Sequence, residues 1–367
     1  MIGSPSHYPG LENFAARDEL VMIGITYRLN SFGWLTLPEL DETDPRGVSS
    51  NRGMLDMLMA LQWIQDNAPA FGGDPSRVTL LGQSSGATAI LAMLASHRSA
   101  GLFSAAIALS GSPNITMDLK TAQGRFRPPV LTACGLPADA VGKVIRDCLD
   151  EMPADKVATL LPNKEFNVGF HLPHSATGAG YPALTVVDGD TIDVPIQHAL
   201  GGVAAGHRGG YKPIIDVPLY LMTMQAEMDS FSNDASINAL STDQYLDMLQ
   251  ETFDEAGFPE VRNKPEWTWC GSRNCGHYFD SSPYRGLGWM TPEEMRDQFE
   301  ELYSYELAMS TELAYQTYGA DVGFMCGNAF LAETARVNPA YNSPVYLNYG
   351  VQVPYRCADG QHAETLC

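Results

Sequence analysis

The hydrophobic pattern of this chain opens with Leu20-Val21-Met22-Ile23-Gly24-Ile25-Thr26-Tyr27, a near-continuous apolar run that predicts a strand buried on both faces. Arg28 to Arg52 is rich in Pro, Gly, Asp and Ser and reads as loop. Leu55, Leu58, Met59, Leu61, Trp63 and Ile64 then recur near helical spacing, with Ser50 or Asn51 available as the cap. Phe71-Gly72-Gly73-Asp74-Pro75 stops that helix, and the apolar Val78-Thr79-Leu80-Leu81 follows as a second strand. A small-residue helix over 87–94 and a buried strand from Leu102 to Leu109 complete the first third, ending at Ser110-Gly111-Ser112-Pro113. Strand, helix, strand, helix predicts a mostly parallel sheet with helices on both faces. A short helical segment is expected from Leu136 to Arg146. The pattern is mostly helical from Thr242 to Arg336, and Val345 to Tyr349 is a further strand.

Composition narrows the classes. The 367 residues, 45% of them hydrophobic, allow one large domain or two smaller ones. A mean hydropathy of -0.13 describes a globular, water-exposed chain. The formal charge of -21 disfavours nucleic acid and anionic membrane surfaces as partners, since both repel an acidic surface. No apolar run is long enough to span a bilayer, and Met1 to Gly10 has neither the basic start nor the apolar core of a signal peptide. Seven cysteines leave at least one outside intrachain pairs. Cys134 and Cys148 bracket the short helical segment and could close a small loop. Cys270 and Cys275, with His277 and Asp280 nearby, could be argued as a metal site, but the spacing lacks a second matching pair and a loop disulfide is simpler. No metal and no cofactor is expected. Asn114-Ile115-Thr116 is a glycosylation sequon. Cysteines and sequon together lean toward an oxidising, secretory compartment.

Gly82-Gln83-Ser84-Ser85-Gly86 lies between the second strand and the small-residue helix, and in that setting it reads as a nucleophile elbow. The serine must sit on a strained turn that pushes its hydroxyl out of the sheet, and the flanking glycines let neighbouring backbone pass without Cβ clashes. The following helix aims its N-terminal amides and dipole at the point where an attacked carbonyl gathers negative charge.

The combination of Tyr27-Arg28-Leu29-Asn30-Ser31-Phe32-Gly33-Trp34-Leu35, Asn51-Arg52-Gly53-Met54-Leu55-Asp56, Ala60-Leu61-Gln62-Trp63-Ile64-Gln65-Asp66-Asn67, Phe71 to Pro75 and the elbow resembles the type-B carboxylesterases, the cholinesterase and carboxylesterase family within the α/β hydrolases. The resemblance implies a single α/β-hydrolase catalytic domain over 1–367, with 242–336 as a helical cap that shapes the pocket. It implies Ser84 as nucleophile. Val217 to Phe231 is similar to the segment carrying the family's catalytic acid, which places that role on Glu227, with Asp229 as runner-up. Asp359-Gly360-Gln361-His362-Ala363-Glu364 resembles the segment around the catalytic base, which places it on His362. The order Ser, Glu, His is that of α/β hydrolases. The backbone amide of Ser85 would be one oxyanion donor. Cys134 and Cys148 resemble the family's small disulfide loop, and Thr185 to Asp190 its strand-and-turn before the acid.

Two departures are expected to matter. Met1-Ile2-Gly3-Ser4 resembles the tail of the family's His-Gly-Gly-Gly oxyanion loop, so that loop and the sheet's first strands would precede Met1. The family's final strand and C-terminal helices would follow Cys367. The resemblance therefore implies a carboxylic-ester hydrolase truncated at both ends, acting on small-molecule or lipid esters; the alternative is a weakly active or non-catalytic binding protein on an esterase scaffold. Neutral Gln83, where the family often has Glu, argues against a choline ester.

Overall fold

The computed structural model describes residues 11–113, 117–160, 185–200, 214–224, 227, 239–255 and 292–350. At its centre are four parallel strands in the order of the chain: β1 (Thr79–Gln83), β2 (Ala105–Leu109), β3 (Leu219–Met224) and β4 (Val345–Gly350). The register runs Gln83 opposite Leu109, Leu109 opposite Met222, and Met224 opposite Gly350. The fold is that of the α/β hydrolases, as expected, with helices joining and covering the parallel strands.

Helix α1 (Arg52–Asn67) forms where the periodicity predicts it and buries Met54, Met57, Leu58, Leu61 and Ile64; Met59 and Trp63, which the periodicity included, are exposed instead. Helix α2 (Ser85–Leu94) crosses from β1 to β2 with every residue from Ala87 to Leu94 buried. Its alanines allow a close approach to the inward Ala106 and Ala108 of β2 and Leu219 and Leu221 of β3. A second apolar cluster lies around α3 (Leu119–Ala133) and α4 (Lys143–Glu151). A third belongs to the helical region, among α5 (Thr242–Glu255), α6 (Pro292–Leu302) and α7 (Thr311–Ala320). There Phe299 stacks 4.6 Å from Tyr303 and meets Tyr318 edge-on at 5.1 Å. A wide helical turn over Asp321–Met325 leads into α8 (Cys326–Val337), which returns the chain to the sheet through Leu331 and Ala335.

Four expectations are corrected. Arg28 to Arg52 is not all loop, since it carries short helices over Asn30–Trp34 and Pro38–Asp41. Leu20 to Tyr27 is not a doubly buried strand: it forms no ladder, and Leu20, Val21 and Ile23 are exposed. A strand is stable only when its N–H and C=O groups find partners, and among the described residues none of the four strands pairs with this segment. Its far end is nevertheless fixed, because Ile25 and Tyr27 pack on the core and Asp56 of α1 accepts from both the Arg28 amide (2.9 Å) and its guanidinium. Asn51 stands at the start of α1 but does not cap it. In the left-handed region (φ 57°), its side-chain amide instead donates to the Val186 carbonyl (2.7 Å) and Asp188 (2.8 Å) and accepts from Val186 N–H (2.9 Å). Those three bonds tie segments 135 to 137 residues apart, more than a single cap contact supplies. Finally, the chain between Cys134 and Cys148 is a turn followed by the first part of α4, because Pro137 and the positive-φ Gly135 and Gly142 interrupt the helical pattern.

Candidate active site

Parallel strands deliver their C-terminal ends to one edge of a sheet, where α/β folds place ligands. Ser84 is the residue after β1, Ser110 the residue after β2, and Glu227 lies three residues past β3. The ladder locks the first two: Ser84 N–H donates to the Leu109 carbonyl (2.9 Å), and Ser110 N–H donates to the Met222 carbonyl (2.7 Å). Both serines are left-handed, Ser84 at φ 56° and Ser110 at φ 53°. Such a conformation costs a non-glycine residue about 1–3 kcal/mol and persists only where the surroundings over-determine it.

At Ser84 the determinant is the tight reversal from strand to helix. The Ser84 carbonyl already accepts the first helical bond, from Thr88 N–H (3.0 Å), so its amide closes the strand ladder while its carbonyl opens the helix. A Cβ on Gly82 would lie 2.6 Å from the Gly86 carbonyl carbon and oxygen, which is the close approach expected of the motif. Gly86 itself has open space where its Cβ would be. Ser85 begins α2, whose first amides have no partner within the helix.

The turn after β2 is held against the same helix. A Cβ on Gly111 would meet the Ala87 Cβ at 2.7 Å, and Ser112 N–H donates to the Thr88 hydroxyl (3.0 Å). The Glu227 carboxylate accepts Met224 N–H at 2.6 Å, and the Ser110 hydroxyl lies within hydrogen-bonding reach of it. Burial pushes the Glu227 carboxyl above its ordinary range, while the Met224 amide and the Ser110 hydroxyl pull the other way by stabilising the charged form. Ser110 is the residue that sequence reasoning passed over. Its signal was present in a non-glycine residue before Gly111 at a strand end, but nothing in the sequence ties it to a carboxylate more than a hundred positions away.

The remaining candidates divide. Cys134 and Cys148 are bonded, with their Cα atoms 6.0 Å apart, as the resemblance implied. His362, Asp229, Cys270, Cys275 and Asn114 lie outside the described residues. Among the described residues no group of three or more His, Cys, Asp or Glu side chains is placed to hold a metal ion. Nor is any helix among them long and apolar enough to cross a membrane.

Residues 1–349 match the sequence profile of the carboxylesterase family. The chain belongs to that family. It is 42% identical over 125 residues to acetylcholinesterase of Gallus gallus, a stretch of 34% of this chain and 16% of that protein. It is also 40% identical over 119 residues to the fumonisin B1 esterase of Sphingopyxis macrogoltabida, 32% of this chain and 21% of that protein. Among solved structures, the carboxylesterase of Geobacillus stearothermophilus superposes with a TM-score of 0.60 at 21% identity, over 96% of this chain and 60% of that one. At that identity the likeness concerns the fold. The chain thus spans only part of the length of the esterases it matches.

Proposed function

We propose that this carboxylesterase-family chain hydrolyses carboxylic esters through an acyl-enzyme formed on Ser84. The observation that carries the reading is the strained Ser84 turn at the mouth of α2, on the same sheet edge as the half-buried Glu227 carboxylate. The Ser84 oxygen attacks the ester carbonyl as His362 takes its proton, and the resulting oxyanion is met by the Ser85 amide at the start of α2. The tetrahedral intermediate collapses with the alcohol leaving, protonated by His362. Water then attacks the acyl-enzyme by the same route and releases the acid. Glu227 holds the imidazole in the working tautomer and stabilises the imidazolium. The role of His362 rests on its place in the Asp359 to Glu364 segment.

The substrates are small-molecule or lipid esters, and neutral Gln83 beside the nucleophile makes a cationic alcohol a poor candidate. The Cys134–Cys148 bond favours folding in an oxidising compartment, consistent with a secretory protein. The test is labelling by a fluorophosphonate, which needs an activated serine. Stoichiometric labelling that disappears in Ser84→Ala supports the reading. Absence of label, or equal labelling of Ser84→Ala, leaves an esterase scaffold used for binding.

A further inference from the structure

Asn328, on the first turn of α8, is buried to 2% exposure within the helix that joins the helical region to the sheet. Its amide nitrogen donates to the Gly111 carbonyl at 2.8 Å, across 217 residues of sequence. A carbonyl only accepts, so this contact fixes which end of the amide faces Gly111. The amide oxygen at the other end is buried with no hydrogen-bond partner among the described residues. A buried polar atom left unsatisfied lowers stability. An apolar side chain would pack there without it, so core packing alone does not account for an asparagine.

The account lies at the other end of the bond. Gly111 follows Ser110, the positive-φ residue whose hydroxyl lies within hydrogen-bonding reach of Glu227. Three contacts from three elements hold this turn: Ser110 N–H on the Met222 carbonyl of β3, Ser112 N–H on Thr88 of α2, and the Asn328 amide on the Gly111 carbonyl. The first two restrain N–H groups on either side of Gly111. Only Asn328 among them grips the peptide between Gly111 and Ser112 by its oxygen, opposing rotation of the turn back to an unstrained conformation.

We propose that Asn328 is a positioning residue of the ester-hydrolysing site: by clamping the Gly111 carbonyl it holds Ser110 in the left-handed conformation from which its hydroxyl orients Glu227. The assignment rests on the reading of Glu227 as the triad acid. It makes α8 a structural link between the helical region and the acid, and it explains why the site tolerates an orphaned amide oxygen.

Asn328→Leu tests it. Leucine removes the unpaired oxygen, a gain, and strips the buried Gly111 carbonyl of this donor, a loss of similar size, so the melting temperature should change little. The fluorophosphonate labelling rate of Ser84 should fall roughly 10-fold, equivalent to about 1.4 kcal/mol of activation free energy. Without the Ser110 hydroxyl in place, Glu227 is harder to ionise, and the acid limb of the labelling rate should move to higher pH. An unchanged rate and pH profile in folded Asn328→Leu overturns the proposal. A second measurement does not depend on turnover: the Glu227 carboxyl is titrated by 13C NMR in Ser84→Ala, assigned by its loss in Glu227→Gln. Its titration should move upward when Asn328→Leu is added, or Asn328→Ala if the leucine variant does not fold, and no movement overturns the proposal. If the parent chain takes no label, the hydrolase reading fails by itself, and this titration still decides whether Asn328 governs the Glu227 environment.

Discussion

The two motif glycines are predicted to respond with opposite sign to the same substitution. In Gly82→Ala the new methyl lies 2.6 Å from both the carbon and the oxygen of the Gly86 carbonyl and 2.9 Å from Ala87 N. All three are backbone atoms in the first turn of α2, so no flexible side chain can give way. Reaching ordinary contact requires β1 and α2 to separate by roughly 0.5–1 Å. Overpacking of this kind costs about 1–3 kcal/mol, and a rigid backbone obstacle puts Gly82→Ala at the upper end. In Gly86→Ala the methyl enters open space within a helix, and replacing a helical glycine gains about 0.5–1 kcal/mol. The two variants therefore differ by about 3–4 kcal/mol. For a chain of this length, at about 2.1 cal/mol/K of unfolding entropy per residue, that separates their melting temperatures by roughly 4–5 °C. Calorimetry checks the stability, and fluorophosphonate labelling checks the function. A shift approaching 1 Å at the N-terminus of α2 misplaces both Ser84 and the Ser85 amide, and Gly82→Ala should lose on the order of 100-fold in labelling rate. Equal melting temperatures for the two variants would refute the close approach on which this rests.

Three further outcomes are expected. Ser84→Gly should melt higher than Ser84→Ala by an amount equivalent to about 1 kcal/mol, because glycine relieves the φ of 56° and alanine keeps it; neither should label, and equal melting temperatures would mean that the turn is not strained. Burial holds the Glu227 carboxyl above its ordinary range, so the native state binds this proton more tightly than the unfolded chain does. The stability this confers is complete below the ordinary carboxylate value of about 4.3 and is lost as pH rises through the native value. Glu227→Gln should accordingly raise the melting temperature relative to the parent at about pH 7–8 and lose that advantage near about pH 4, and a pH-independent difference would contradict it. Replacing Cys134 and Cys148 together by serine should cost about 3 kcal/mol on the chain-entropy account of a loop of this size, spanning 14 residues. The urea midpoint of the parent with and without reductant measures the same quantity, and an unmoved midpoint would count against it.

Local chemistry determined much of this protein in advance. The stripe from Leu55 to Ile64, the small residues of α2 and the apolar runs of β1, β2 and β4 specify their elements through periods of 3.6 and 2, which need no knowledge of distant residues. The elbow was legible for the same reason, since strand, turn and helix are consecutive there. Tertiary structure decided what depends on partners far along the chain. Leu20 to Tyr27 has the composition of a buried strand, yet no ladder forms on it among the described residues, because a strand is a property of two segments. Asn51 has the chemistry of a cap and serves instead to join Val186 and Asp188 to α1. Gly82 and Gly86 look equivalent in the motif, and only the packing of α2 on β1 distinguishes the one that cannot carry a side chain. Ser110 and Asn328 reach Glu227 and the turn beside it through contacts to Glu227 and Gly111, each spanning more than a hundred residues. Hydrogen bonds of that range leave no periodicity in the sequence, and the fold alone brings their ends together.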